Sequence, residues 1–347
     1  MDAMNQNLGC LKERNVIYEP VQTEHRYYGA VDLARFIAAM VIVGIHTEVF
    51  CQISLLDMGF GVISRLAVPL FFIISAFFFF SKPLTKIRIK HTIKRILILY
   101  FSFSIFYYLI LWSSGYTFSW DDFCSFVFLG GFRHLWFLHA LVIGILLTSG
   151  LYTVFKKTWG VLCVGVLVYI LGLMLETYYS VFSSIEPIQL LHDGLNIDKY
   201  GTRNGIFYGF PCIVPGLVIA KLKRLPSLSF SLGLSSLFIL GLFIETWLAV
   251  KVLHVSSTIM WLSCLPATCF MMITLLNVRS LKFDTHRIRK MSTFIYLIHP
   301  AFILLLGGIL GQGMLLFGGV FILSVLSAWM VSSASMHPRG KVLKYLV

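Results

Sequence analysis

VDLARFIAAMVIVGIHTEVF, residues 31–50, is long enough to cross a bilayer as one helix, and it carries four ionisable groups, Asp32, Arg35, His46 and Glu48. Ten apolar stretches of this kind fill the chain, at 31–50, 58–80, 96–113, 134–154, 158–175, 205–220, 227–250, 256–276, 292–311 and 313–333. Hydrophobic residues make up 58% of the 347 positions and charged residues 12%, proportions that a soluble domain of this size does not sustain. The expected fold is all-α, a polytopic membrane helix bundle of about ten transmembrane helices.

Ten crossings put both termini on one side. That side holds 22 of the 28 Lys and Arg residues and the other holds four, with Arg35 and Arg65 inside spans. The positive-inside rule therefore places both termini in the cytoplasm, for a multi-pass protein of the inner (plasma) membrane. The expected organisation is a cytoplasmic tail over 1–28, a membrane domain over 29–335 and a second cytoplasmic tail over 336–347. The net charge of +13 is spread in short clusters between apolar runs, which suits membrane lipid and argues against nucleic acid as partner. No cleaved leader is expected in the polar amino tail, so the first span acts as its own insertion signal. The seven cysteines show no C-x-x-C spacing and read as small apolar fillers, with Cys51 and Cys124 near the outer face.

Arg35 and His46 are eleven positions apart. Eleven helical steps turn about 1100° and rise about 16 Å, so the two side chains share one face. A cation is costly in hydrocarbon, so the pair is expected to line one protein-walled lumen. His46 suits a general base, because an imidazole titrates near neutral pH. Arg35 would meet the anionic end of one long ligand that touches both groups, with snorkelling beside Asp32 as its plain alternative. Arg65, about seven residues inside the second span, either fixes a carboxylate such as Glu48 or stabilises an oxyanion. Counting from helix ends puts Arg35, Asp32 and His299 in an inner layer, and His46, Glu48, Arg65, His134 and Glu245 in an outer one.

RHLWFLH, residues 133–139, sets His134 and His139 about 500° apart, on different faces and without metal-ligand spacing, so no metal is expected. TRNGIFYGFPCIVPG, residues 202–216, places Arg203 and Asn204 at an outer mouth above glycines and prolines that kink a helix or let helices pack closely. The polar segment 176–204 reads as a lid or binding surface. Glu48, Arg65, His134, Trp136, Arg203 and Asn204 are the candidate substrate-binding residues. On the opposite side KPLTKIRIKHTIKR, residues 82–95, puts Lys86, Lys90 and Lys94 on one helical stripe and Arg88 and Arg95 on another. This patch suits anionic lipid or a soluble phosphorylated donor such as coenzyme A.

Four segments, DLARFIAAMVIVGIH (32–46), AVPLFFIISAFFF (67–79), HLWFLHALVIG (134–144) and STFIYLIHP (292–300), resemble in sequence and order the integral-membrane acyltransferase-3 family, which includes bacterial O-acetyltransferases of envelope glycans. The resemblance implies a catalytic His46 with Arg35 as its essential partner, acetyl-CoA as co-substrate near the basic stretch, and an envelope glycan or lipid-linked sugar as acceptor. It leaves the oligomeric state and acyl chain length open. Ala76 departs from the family's usual glycine after the serine, which bears on packing. No serine nucleophile elbow is present, which favours direct transfer over a covalent acyl relay. Some proteins of this fold instead recognise or move small molecules such as amino acids, which implies flux without coenzyme A dependence.

Overall fold

Backbone polar groups in hydrocarbon have no water to bond, so each long apolar run must close its hydrogen bonds internally as a helix. The computed structural model describes residues 16–18, 28–124, 126, 130–132, 134–255, 257–278 and 285–337. Arg133, most of the amino tail and the basic residues at 279–284 and after 337 lie outside the described residues.

In chain order the helices are α1 (Gly29–His46), α2 (Ser54–Ser64), α3 (Ala67–Phe80), α4 (Lys86–Ser113), α5 (Trp120–Cys124), α6 (Trp136–Phe155) and α7 (Thr158–Leu175). Three short ones follow, α8 (Tyr179–Phe182), α9 (Glu186–Gly194) and α10 (Ile197–Tyr200). A π-turn (Gly205–Gly209) then leads into α11 (Phe210–Lys221), and α12 (Leu228–Lys251), α13 (Cys264–Asn277), α14 (His286–Leu310) and α15 (Met314–Met336) complete the bundle. One two-stranded pairing, β1 (Val16–Tyr18) against β2 (Leu84–Thr85), is antiparallel.

All ten expected spans contain helix, but among the described residues only eight are long and apolar enough to cross a membrane. The other two, Gly205–Lys221 and Cys264–Asn277, are shorter. Both are shortened by polar side chains that capture loop backbone. Thr177 Oγ1 donates to the Met260 carbonyl at 2.8 Å and Tyr169 to that of Trp261 at 2.7 Å. Glu245, inside α12, accepts from the Leu262 and Ser263 amides at 2.5 and 2.8 Å, serving α13 as a cap supplied by another helix. Asn204 caps the π-turn, its Oδ1 accepting from the Ile206 and Phe207 amides at 2.9 and 3.0 Å.

The centre is α3. Its run of Phe71, Phe72, Ile73, Ile74, Ala76, Phe77, Phe79 and Phe80 is buried on all sides, as an unpatterned apolar helix requires. It packs on α1, α11 and α13. Exposed apolar side chains such as Ile105, Leu240 and Ile322 belong to the peripheral helices α4, α12 and α15, the faces for lipid.

The α3–α11 crossing explains Ala76. A Cβ built on Gly216 would lie 2.5 Å from the Ala76 Cβ and 2.6 Å from the Ile73 carbonyl oxygen, so the methyl on α3 sits over a glycine on α11. Gly216→Ala should therefore cost about 1–3 kcal/mol, read as a lower unfolding midpoint in detergent. Adding Ala76→Gly should recover part of the loss, since the Ile73 carbonyl stays in the way. Gly209 plays the same part against α6, where its Cβ would meet the Ala140 carbonyl oxygen at 2.6 Å.

The segment 176–204 is structured. Glu176 accepts from the Thr202 amide at 2.5 Å, from the Thr202 hydroxyl, and from Ser257 at 3.0 Å, tying two outer loops together. His192 stacks on Tyr179 with centroids 3.7 Å apart, and Lys199 reaches Asp121 at 3.6 Å. Ser119 and Tyr116 donate to Asp122 and hold its carboxyl below the usual range, while Trp120 stays exposed.

Candidate functional site

Arg35 lies one turn and a half into α1 and reaches toward α3, where Nη2 donates to Ser75 Oγ at 3.5 Å. Its Nε is buried with no hydrogen-bond partner, and Phe78 lies 5.9 Å from the guanidinium carbon. Asp32 makes no ion pair with it among the described residues; Oδ2 accepts from Thr285 at 2.8 Å and Oδ1 is buried with no hydrogen-bond partner. The snorkelling alternative is thus replaced by a guanidinium facing a cavity. This cavity, about 270 Å³, is walled by α1, α3, α4, α6 and α14 and lined by Arg35, Ser75, Arg95, Phe137, Tyr296 and Leu297 among others.

The basic stretch divides between faces. Arg95 lines this cavity, whereas Lys86, Lys90 and Lys94 border a shallow groove with Ile89, Ile93 and Phe101 on the outer side of α4. Arg88 turns back to the Pro83 carbonyl and over the Phe79 ring, 4.6 Å from its centroid. The four-residue stripe thus separates the lysines from the cavity, so the expected five-residue donor patch contributes one side chain to it.

His46 ends α1 and is exposed. A turn of the Schellman type follows, with Val49 N donating to Gly44 O at 3.1 Å and Glu48 held at φ 50°. The His46 ring meets His299 at 5.3 Å between centroids, and His299 meets His134 at 5.4 Å. His299 therefore belongs with His46, in the layer expected to be outer. The error came from the helix start, since α14 begins at His286 instead of 292 and carries His299 deeper. His139 faces Tyr100 at 6.1 Å, away from His134, as its spacing predicts.

Between Arg35 and His46 the expected single lumen is interrupted. The cavity stops at Tyr296 and Leu297, and His46 does not line it. Tyr296 donates to the His134 carbonyl and packs against Phe137 and Phe71 at 5.5 and 6.1 Å. An aromatic layer thus divides a chamber holding Arg35 and Arg95 from the histidines.

Arg65 does not take the first of its two expected roles, the fixing of Glu48. It sits at the break between α2 and α3, and Nη2 donates to Thr258 at 2.9 Å, with no ion pair to Glu48 among the described residues. Arg203 lies over Trp136 at 5.4 Å, and Trp136 meets Tyr208 edge-on at 5.4 Å. Asn204, whose amide oxygen serves the π-turn, is structural. Cys51 and Cys124 are both free thiols. Among the described residues no three His, Cys, Asp or Glu side chains are grouped to hold a metal ion.

A family model described as an acyltransferase domain matches residues 28–333. The chain belongs to the acyltransferase-3 family. Over 197 residues it is 31% identical to an amino-acid racemase of Enterococcus faecalis, covering 54% of this chain and 27% of the relative. A second amino-acid racemase of that organism is 26% identical over 301 residues, 82% of this chain and 42% of the relative. A serine/alanine racemase of Enterococcus gallinarum is 28% identical over 294 residues, 78% and 40%. The chain thus spans less than half the length of these curated relatives. No solved structure matches it.

The arrangement supplies a cation in a partly enclosed chamber, an exposed imidazole ending the same helix, and two buried imidazoles between helices. His299 is named from the sequence, though in the wrong layer, while Tyr296 is missed; its signal is the three-residue spacing in IYLIHP, which puts both on one face of α14.

Proposed function

We propose that this acyltransferase moves an acyl group, acetyl in the simplest case, from cytosolic acyl-coenzyme A to a hydroxyl of an envelope carbohydrate, from the inner membrane and with both termini cytoplasmic. The observation that carries the reading is the chamber with Arg35 and Arg95 at one end and Tyr296 at the other, one aromatic layer from His46. Arg95 and Arg35 would take donor phosphate, and the exposed lysines of α4 would draw the polyanionic donor to the surface. The thioester reaches the histidines when Tyr296 swings aside, at the expense of one hydroxyl-to-carbonyl hydrogen bond, about 1 kcal/mol net. His46 takes the proton of the acceptor hydroxyl as oxygen attacks the thioester carbon, and the thiolate leaves.

On the other side Trp136, with Arg203 over it, offers a ring for a sugar face. Trp136→Ala should raise the acceptor KM about tenfold, about 1.4 kcal/mol, with the donor KM unchanged. The central test uses protein in liposomes loaded with labelled acetyl-coenzyme A and facing lipid-linked glycan. Acylated glycan and free thiol should appear together. Thioester hydrolysis without glycan acylation, or amino-acid flux indifferent to coenzyme A, overturns the reading.

A further inference from the structure

Two of the clustered histidines have tautomers that their surroundings assign. A backbone carbonyl only accepts, so a ring nitrogen facing one carries the proton. His299 Nδ1 faces the Ile295 carbonyl at 3.2 Å, and His134 Nε2 faces the Leu297 carbonyl at 3.3 Å. The opposite nitrogens, His299 Nε2 and His134 Nδ1, are therefore lone pairs. Both are buried and neither has a hydrogen-bond partner, an expensive arrangement for two rings that are 0% and 2% exposed. Such a pair calls for a donor.

The neighbouring ring with a proton to offer is His46. Two imidazoles joined edge to edge by one N–H···N bond have centroids roughly 5 Å apart, given a donor–acceptor distance near 2.9 Å. Rings that stack lie much closer, as Tyr179 and His192 do at 3.7 Å and 8°. His46 and His299 lie at 5.3 Å and 31°, the spacing of an edge-on pair whose planes need a modest turn to align. We propose that His299 is the positioning residue for His46: its Nε2 accepts the His46 N–H and so leaves the other His46 nitrogen as the lone pair presented to the acceptor hydroxyl.

This rests on the reading of His46 as the base. During transfer the hydroxyl proton moves to the exposed His46 nitrogen while oxygen bonds to the acyl carbon. The second His46 proton stays in its bond to neutral His299, which stabilises the imidazolium. The C–S bond then breaks, and the thiolate recovers the proton from the exposed nitrogen. His134 packs against His299 and adds a second lone pair instead of a second donor, so the pocket favours a protonated neighbour. His299 needs no contact with substrate.

The test compares His299→Leu with His299→Gln, whose side-chain oxygen can stand where Nε2 does. His299→Leu should lower kcat about 50-fold, part of the 10²–10⁴ that general base catalysis supplies, with both KM values unchanged. His299→Gln should keep most of the activity, and in a His46→Ala background His299→Leu should have no further effect. An activity-independent readout is the ¹⁵N spectrum of histidine-labelled protein in bilayers, with His46→Gln assigning the His46 signals. Wild type and His299→Gln should show one neutral His46 tautomer, and His299→Leu a mixture. An unchanged His46 tautomer in a folded His299→Leu protein, or additive losses in the double variant, overturns the proposal. A tautomer that responds to His299 in a protein that transfers no acyl group upholds the pairing and removes only the functional reading beneath it.

Discussion

His46→Ala lowers acyl transfer about a thousandfold, within the range by which a positioned base accelerates proton transfer, while an acyl-coenzyme A analogue binds as to wild type. The separation follows from geometry. His46 stands beyond the aromatic layer and does not line the chamber, so its loss leaves Arg35, Ser75 and Arg95 as they were. The exposed end of α1 also tolerates truncation, since His46 is the last residue of its helix and the following turn closes through backbone bonds from Thr47, Glu48 and Val49. Envelope glycans from cells with matched membrane levels of the two proteins give the readout by mass spectrometry. An acyl profile unchanged by the substitution removes His46 from the mechanism. Weakened donor binding would instead mean that the aromatic layer does not divide the site.

Much of the bundle was legible because a bilayer accepts few solutions. Ten apolar runs had to be helices, and the wholly apolar AVPLFFIISAFFFF, having no polar face, had to be surrounded by protein. What escaped were effects carried by single side chains across long separations. Glu245 lies 17 positions before the amide it caps, and Thr177 binds a carbonyl 83 positions away, so no local pattern announced that 257–263 would be held as loop and shorten a span. Arg65 was displaced for a similar reason, its partner Thr258 lying 193 positions along the chain. In the site, the Arg35-to-His46 spacing correctly put one group near each end of a helix. Spacing within one helix says nothing of what other helices insert between its ends, and here α14 inserts Tyr296 and His299.

Arg35 carries the second large effect, and its two substitutions separate charge from shape. Arg35→Lys keeps a cation but replaces a planar fork by a point charge on a different stem. If the guanidinium grips a donor phosphate through that fork, kcat/KM should fall about 100-fold, about 2.7 kcal/mol, with most of the loss in the donor KM. Arg35→Met should abolish transfer and yet not weaken the fold. A half-buried cation whose Nε has no partner and whose nearest hydroxyl is 3.5 Å away recovers little of its desolvation cost from hydrogen bonds and depends on the Asp32 carboxylate and the Phe78 ring for the rest. An apolar side chain of similar volume in its place is expected to be neutral or stabilising by about 1–4 kcal/mol. Loss of turnover with an unchanged or raised unfolding midpoint is the signature of a residue kept for chemistry at the expense of stability. A midpoint that falls together with activity would make Arg35 a structural cation instead, satisfied by contacts with the groups around it.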